Sequence, residues 1–282
     1  MWPFKRTQFV PVVRLSGVIA AGGGPLAGNT LALSSLAAPL LKAFTASKLR
    51  SVFIVVNSPG GSPVQSNLIF RRIRALAAEH KKRVYVFCED VAASGGYYIA
   101  LGGDEIYADP SSIVGSIGVI SASFGFNEAI AKLGIERRVY TAGLSKSTLD
   151  PFLPEKAEDV ERLKELQRDV HDVFIGAVKE RRAGLLKGAD AELFSGAFWS
   201  APRALDHGLI DGIADMRSKM AELHGDKAKL KVIPLGARGW LARLRQAPMM
   251  EQMGGMSGVG IVDPARAISA IEARMLWSRF GL

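Results

Sequence analysis

Short apolar runs alternate with longer amphipathic stretches over residues 9–213, and this alternation constrains the fold more than any other feature of the sequence. Short runs rich in β-branched and other apolar residues read as strands over residues 10–15, 52–56, 84–88 and 105–108, and a further apolar run covers residues 114–121. A further strand is expected over residues 137–141. Helical spacing of apolar residues covers residues 33–45, 64–80, 95–101, 127–133, 154–182 and 201–208. Strands that alternate with helices pair in parallel and are covered on both faces. The sequence therefore predicts an α/β fold.

The texture of the sequence changes after Pro234, where methionines lie among glycines. We therefore predict one domain over residues 1–235 and a Met/Gly-rich basic C-terminal tail over residues 236–282. Within the tail, residues 240–245 and 275–280 combine aromatic and basic side chains. Such segments can lie on an anionic bilayer, or they can pack on the domain or on a neighbouring subunit.

Composition narrows the class of protein. The chain has 282 residues and a net charge of +9 that is spread broadly, which disfavours nucleic acid as a partner and suits peripheral contact with an anionic membrane. A single cysteine, Cys88, excludes an internal disulfide or a multi-cysteine metal cluster, and we expect it to be buried. No cofactor is expected. A cytoplasmic location, with peripheral contact at the inner membrane, fits these features.

A membrane-spanning helix is not expected near the N-terminus. Residues 15–41 carry no charge and are long enough to cross a bilayer, but glycines and prolines interrupt them at residues 22–25 and 28–30. A strand, a loop and the start of a helix fit this stretch better. The first residues also lack the apolar core of a secretory signal.

Two predicted strands end in turns of small residues that can carry chemistry. Residues 57–61 read Asn-Ser-Pro-Gly-Gly, and the N–H groups of Gly60 and Gly61 can point at a ligand oxygen, as in an oxyanion hole. Ser94 opens a helix in Ala-Ala-Ser-Gly-Gly-Tyr-Tyr, where its hydroxyl can project. Either turn could also be an ordinary strand-to-helix connection. Both follow the carboxyl ends of parallel strands, the edge where α/β folds bind ligands.

A reactive serine needs a base, and the four histidines are poorly placed to supply one. His80, His171, His207 and His224 occupy positions typical of surface histidines, and none lies in the 76 residues between Ser94 and His171. A lysine can replace histidine if burial lowers its pKa from about 10.4 to 7–8, at a cost of about 4 kcal/mol. Lys146 follows a predicted strand and lies between two serines, although taken alone it is more typical of a solvated loop lysine.

Four motifs that follow one another along the chain together resemble those of one known family. The turn at residues 57–61, the segment around Ser94, residues 115–119 (Gly-Ser-Ile-Gly-Val) and the loop of Lys146 resemble the signal peptide peptidase A family. The resemblance spans about residues 10–215. It is to the half-length form of the family. Members commonly carry an N-terminal membrane anchor, and we expect none in this chain, which makes membrane-embedded signal-peptide remnants less suited as its substrates.

The resemblance implies a serine endopeptidase with the Clp-protease and crotonase type of α/β fold. Ser94 would be the nucleophile, Lys146 the general base and Ser116 a hydroxyl that orients the lysine amine. Gly60, Gly61 and Gly95 are the candidate oxyanion donors. The expected substrates are signal-peptide remnants or other short or unfolded peptides. In half-length relatives neighbouring subunits share each site, so the resemblance also implies a homo-oligomer.

Three other functions remain to be weighed. A Clp-type protease needs a histidine some tens of residues beyond its serine, and this sequence has none there. A crotonase-type acyl-CoA enzyme would use the paired glycines but leave Ser94 and Lys146 without roles. A catalytically idle, membrane-associated scaffold of the same fold is the remaining alternative.

Overall fold

The computed structural model describes residues 8–21, 30–143, 145–235, 271 and 273–282. Its strands are β1 (Phe9–Ser16), β2 (Ser51–Ser58), β3 (Arg83–Ala93), β4 (Glu105–Ala108), β5 (Ile113–Gly115), β6 (Phe198–Ser200), β7 (Gly212–Ile213) and β8 (Lys229–Val232). Its helices are α1 (Leu33–Thr45), α2 (Pro63–Glu79), α3 (Gly95–Ala100), α4 (Asn127–Lys132), α5 (Ala157–Arg181), α6 (Asp190–Leu193), α7 (Ala201–Asp206) and α8 (Met216–His224). The predicted alternation of strands and helices is confirmed.

The described strands form a single sheet in the order β6-β5-β3-β2-β1-β8, with β4 also beside β3 and β7 beside β4. The strands pair in parallel except β5 and β6, which are antiparallel. Helices flank the sheet, as the apolar character of its strands requires. The α/β fold of the Clp-protease and crotonase type is thereby confirmed.

Strand β3 is long because it serves two neighbours in succession. Its first half pairs with β4, from Tyr85 to Cys88, and its last three residues pair with β5. The register against β2 shifts between Val56 and Ser58, where the pairing is irregular. Beyond this shift the last residues of β3, just before Ser94, pair with β5.

Both faces of the sheet are covered by apolar side chains. On one face the main core includes Tyr97, which is fully buried and donates from its hydroxyl to the carbonyl of Leu209 at 2.7 Å. On the other face, aromatic residues of β2, β3 and β4 pack against α8, whose contacts are Met216, Met220 and Leu223.

The end of the chain packs behind the strand that leads into Ser94. Residues 273–278 are helical, and Phe280 is buried against Val91 and Ala93 of β3, with Trp277 beside it. The ring of Phe280 lies 5.0 Å from that of Phe198 in β6. The part of the predicted tail before residue 271, including residues 240–245, lies outside the described residues.

One predicted strand is wrong. Residues 137–141 form no strand, and the arginine at position 137 pairs instead with Asp150 at 3.0 Å. A strand needs a neighbour to accept its backbone hydrogen bonds, and in the described part of the chain this segment has none. None of residues 120–143, which include helix α4, is buried.

No helix among the described residues combines the length and apolar composition that a bilayer crossing requires.

A buried ion pair offers a test of this architecture. Arg182, at the end of α5, has a side chain only 4% exposed and contacts Asp211 at 2.8 Å. The same carboxylate accepts the backbone N–H of Ile106 in β4 at 2.7 Å. We predict that Asp211→Ala lowers the free energy of unfolding by about 3–5 kcal/mol, because it leaves a buried guanidinium unpaired.

Urea unfolding followed by circular dichroism measures this loss. The matched control is Asp190→Ala, which removes an exposed partner of Lys179 and should cost less than about 1 kcal/mol. Equal effects of the two substitutions would contradict the buried role of Asp211.

Candidate functional site

Ser94 occupies a strained turn between β3 and α3. Its backbone angles are φ 52° and ψ −123°, a region that residues other than glycine rarely adopt. Its N–H donates to the carbonyl of Gly115 at 2.8 Å, and its own carbonyl accepts from Tyr98. A strained strand-to-helix turn of this kind exposes the hydroxyl of nucleophilic serines in other hydrolases. Ser94 is partly buried, so its hydroxyl can meet a bound molecule.

The turn of Gly60 and Gly61 lies directly against Ser94. Both glycines have positive φ, +107° and +138°. A Cβ on Gly60 would lie 2.8 Å from the Cβ of Ser94, and one on Gly61 would lie 2.0 Å from the carbonyl oxygen of Ile19. Only glycine fits at either position. The fold thus brings together the two turns that the sequence predicts at one edge of the sheet.

The backbone N–H groups at this contact differ in availability. That of Gly60 donates to the hydroxyl of Ser58 at 3.2 Å. For the N–H groups of Gly61 and Gly95, the described residues provide no acceptor. These two groups are close, since a Cβ on Gly95 would lie 3.4 Å from the nitrogen of Gly61. Gly61 and Gly95 are therefore better placed than Gly60 to donate to a bound oxygen.

An apolar cavity of about 210 Å³ opens beside Ser94 between α2 and α5. Gly61, Ser94 and Gly95 form its polar edge. Its remaining lining is mainly apolar and comes from Pro63, Val64, Leu68, Tyr98, Gly118, Val119, Val170, Val173 and Phe174, with Ser66 and Asn67 as the polar exceptions. A cavity with this lining accepts an apolar group and places it next to the serine.

Ser116 lies beside Ser94 at the end of the neighbouring strand. Ser94 follows Ala93, whose partner across the β3–β5 pair is Gly115, and Ser116 follows Gly115. Ser116 is 6% exposed, has a φ of 53°, and donates its N–H to the carbonyl of Ala197 at 2.7 Å. The fold of one chain therefore brings Ser116 and Ser94 together.

Lys146 is placed differently from the other candidates. It lies in an exposed turn, held by its N–H to the carbonyl of Gly143 at 3.3 Å. The described residues that line the cavity beside Ser94 include no lysine. The described part of a single chain thus leaves Lys146 outside this cavity.

Two other reactive side chains can be assigned structural positions. His171 is partly buried, and its Nε2 donates to the carbonyl of Ile117 at 3.1 Å, next to Ser116. Sequence reasoning placed this histidine at the surface, because nothing in its local sequence reveals a contact 54 residues away.

Cys88 is buried as expected, and burial raises the pKa of its thiol to about 12. It is thus a neutral thiol at neutral pH, unsuited to act as a nucleophile.

Several known proteins are similar to this chain. A Brucella abortus protein named Na(+)/H(+) antiporter NhaA is 56% identical over 97% of this chain. The Arabidopsis thaliana protein named Serine protease SPPA, chloroplastic, is 28% identical over 94% of it, and Protease 4 of Salmonella typhi is 30% identical over 65%. This chain spans only 37%, 40% and 29% of those three proteins, respectively. The antiporter name therefore belongs to a protein much longer than the aligned part.

A family match locates the similarity on the fold. The model of the family described as Peptidase family S49 matches residues 77–231, a segment that begins in α2 and ends in β8. It contains Ser94, Ser116 and Lys146 together with the strands that present the two serines. Since this match covers more than half of the sequence, the chain belongs to peptidase family S49.

Proposed function

We propose that the protein is a serine endopeptidase in which Ser94 attacks the peptide carbonyl and Lys146 accepts its proton. The observation that carries this proposal is the strained turn of Ser94 at the mouth of an apolar cavity, with the N–H groups of Gly61 and Gly95 beside it. Membership of a peptidase family and relatives named as proteases support it.

The proposed chemistry proceeds in two balanced steps. In the first, the Ser94 oxygen bonds to the carbonyl carbon while the Lys146 amine takes the hydroxyl proton and then gives it to the departing amine. In the second, water attacks the acyl-enzyme and its proton returns through Lys146 as Ser94 leaves. Backbone N–H groups stabilise the oxyanion in both steps, and each such donor contributes about 3–4 kcal/mol. Ser116 would orient the lysine amine.

The exposure of Lys146 gives this proposal a further requirement. A lysine acts as a base only when it is withdrawn from water, and Lys146 is exposed in one chain. Its segment also exposes large apolar side chains that a partner would cover. These include Ile120 at 67% exposure, Phe124 at 70%, Leu133 at 74% and Tyr140 at 91%.

We therefore propose that a second copy of this chain covers residues 120–146 and that its Ser94 is served by this lysine. The resemblance to half-length relatives with shared sites supports the same arrangement. Large apolar side chains exposed together on one segment are typical of a subunit interface. The proposed active enzyme is then a homo-oligomer.

The cavity beside Ser94 indicates the substrate class. Its apolar lining and a volume of about 210 Å³ suit an aliphatic or small aromatic side chain next to the scissile bond. A groove between two helices admits an extended chain more readily than a folded surface. Short or unfolded peptides rich in apolar residues, signal-peptide remnants among them, are the proposed substrates.

The dyad is tested by comparing hydrolysis of an apolar fluorogenic peptide by three variants. We predict that Ser94→Ala and Lys146→Ala each lower kcat/KM by about 10³-fold or more, because the two residues act as a unit. Lys227→Ala, which changes an exposed lysine before β8, should match the wild type. Full activity in either dyad variant contradicts the mechanism. A wild type that hydrolyses no peptide would instead favour an idle scaffold of this fold.

Sharing of the site is tested by mixing the two inactive variants. If one subunit supplies Ser94 and its neighbour Lys146, co-expressed Ser94→Ala and Lys146→Ala chains should recover about a quarter of wild-type activity, since random pairing completes that share of the sites. The control mixes each variant with the double variant, which completes no site. A lack of recovery in a confirmed mixed oligomer would show that serine and lysine act within one chain.

A further inference from the structure

A second cavity, of about 520 Å³, lies further along the groove between α2 and α5. It shares Asn67, Tyr98 and Val173 with the apolar cavity beside Ser94, so the two are adjacent. Tyr98 lines both cavities and so stands at the wall between them. The ring of Tyr98 stacks on Phe174 at 4.8 Å, which fixes this wall in place.

The second cavity differs from the first in charge. Three arginines line it, Arg71 and Arg74 from α2 and Arg181 from α5, against a single acidic lining residue, Glu180. One turn of helix separates Arg71 from Arg74, so both project toward the same groove. The groove thus changes from apolar near Ser94 to basic at its far end.

Two of these arginines are held in place by the loop after α3. Arg181 donates from Nε to the carbonyl of Leu101 at 3.0 Å and from Nη2 to that of Gly103 at 2.8 Å. Arg74 donates from Nη1 to the carbonyl of Gly102 at 3.1 Å. Bonds to consecutive carbonyls fix both guanidinium groups at the wall of the cavity.

The positive charge at this wall is only partly neutralised. Arg74 pairs with Asp104 at 2.8 Å, and Arg181 lies 3.7 Å from the same carboxylate. Burial lowers the pKa of Arg181, and the nearby charge of Arg74 lowers it further. Arg71 is exposed, and the described residues provide no acceptor or acidic partner for its guanidinium. An anion in the cavity would therefore find one uncommitted guanidinium and two preoriented ones.

We propose that this basic cavity binds a carboxylate of the substrate peptide while the apolar cavity holds the side chain next to the scissile bond. The proposal rests on the proposed peptidase function and adds a second determinant of specificity. Guanidinium groups match carboxylates in geometry and bind them through charge-assisted hydrogen bonds. The carboxylate can come from an acidic side chain or from the free C-terminus of a short peptide.

The distance between the cavities sets the position of that carboxylate in the peptide. Val64, in the apolar cavity, is seven residues from Arg71 and ten from Arg74 on α2. At 1.5 Å per residue this is about 10–15 Å along the helix. An extended peptide covers it in about three to five residues.

The test uses pairs of peptides that share an apolar residue at the cleavage site. In one series Glu replaces Gln at each position from one to six residues on either side of the scissile bond. In the other series, the two peptides of each pair differ only at the C-terminus, which is a free carboxylate in one and an amide in the other. We expect kcat/KM to favour the carboxylate by about tenfold at one position about three to five residues away, or at the C-terminus, and so to identify its source.

Arg71→Gln should reduce this preference to about one, since it removes the uncommitted guanidinium without disturbing the bonds of Arg74 and Arg181. The matched control is Arg72→Gln, which changes the next residue of α2, outside the cavity lining, and should keep the preference. Equal cleavage of both members of every pair by the wild type, or a preference unchanged in Arg71→Gln, would overturn the proposal.

A binding measurement separates this proposal from the proposed activity. The same peptide pairs carry a fluorescent label and are titrated with Ser94→Ala protein. Their fluorescence anisotropy then reports binding affinity without cleavage. Tighter binding of the carboxylate peptide that Arg71→Gln abolishes supports the basic cavity, even if the wild type cleaves nothing. Equal affinities within every pair overturn the basic cavity, even if the wild type cleaves them all.

Discussion

The contact between two backbone turns is the constraint on which the rest of the site depends. The turn of Gly60 and Gly61 lies very close to the turn of Ser94 and Gly95. A single Cβ added to Gly60 would collide with the side chain of Ser94. This approach is possible because parallel strands β2 and β3 deliver both turns to the same edge of the sheet. It places available N–H groups beside the serine and opens the cavity between α2 and α5.

Local patterns predicted the elements that build this contact. The bounds of α1 (Leu33–Thr45) and β4 (Glu105–Ala108) agree with the sequence prediction, because apolar periodicity there reports burial directly. The proximity of Gly60 to Ser94 followed from a rule of parallel sheets, without any long-range information. Up to this point, sequence and topology suffice.

What the sequence could not predict depends on distant contacts. The strand expected at residues 137–141 contains β-branched and aromatic side chains, but within the described part of the chain no strand lies beside it. His171 reaches the carbonyl of Ile117 through the packing of α5, which no local signal encodes. The alignment of three arginines with the groove likewise arises only when α2 and α5 lie side by side. In the proposed account, the lysine too depends on packing beyond one chain.

Labelling with a fluorophosphonate probe tests the central claim most directly, because the probe reacts with a serine whose proton a base removes. Peptide mass spectrometry would locate the adduct in wild-type protein and in Lys146→Ala. The account predicts an adduct on Ser94 of the wild type and labelling about 10²-fold slower or more in the variant. An adduct on another serine, or equal labelling of Ser94 in both proteins, would contradict it.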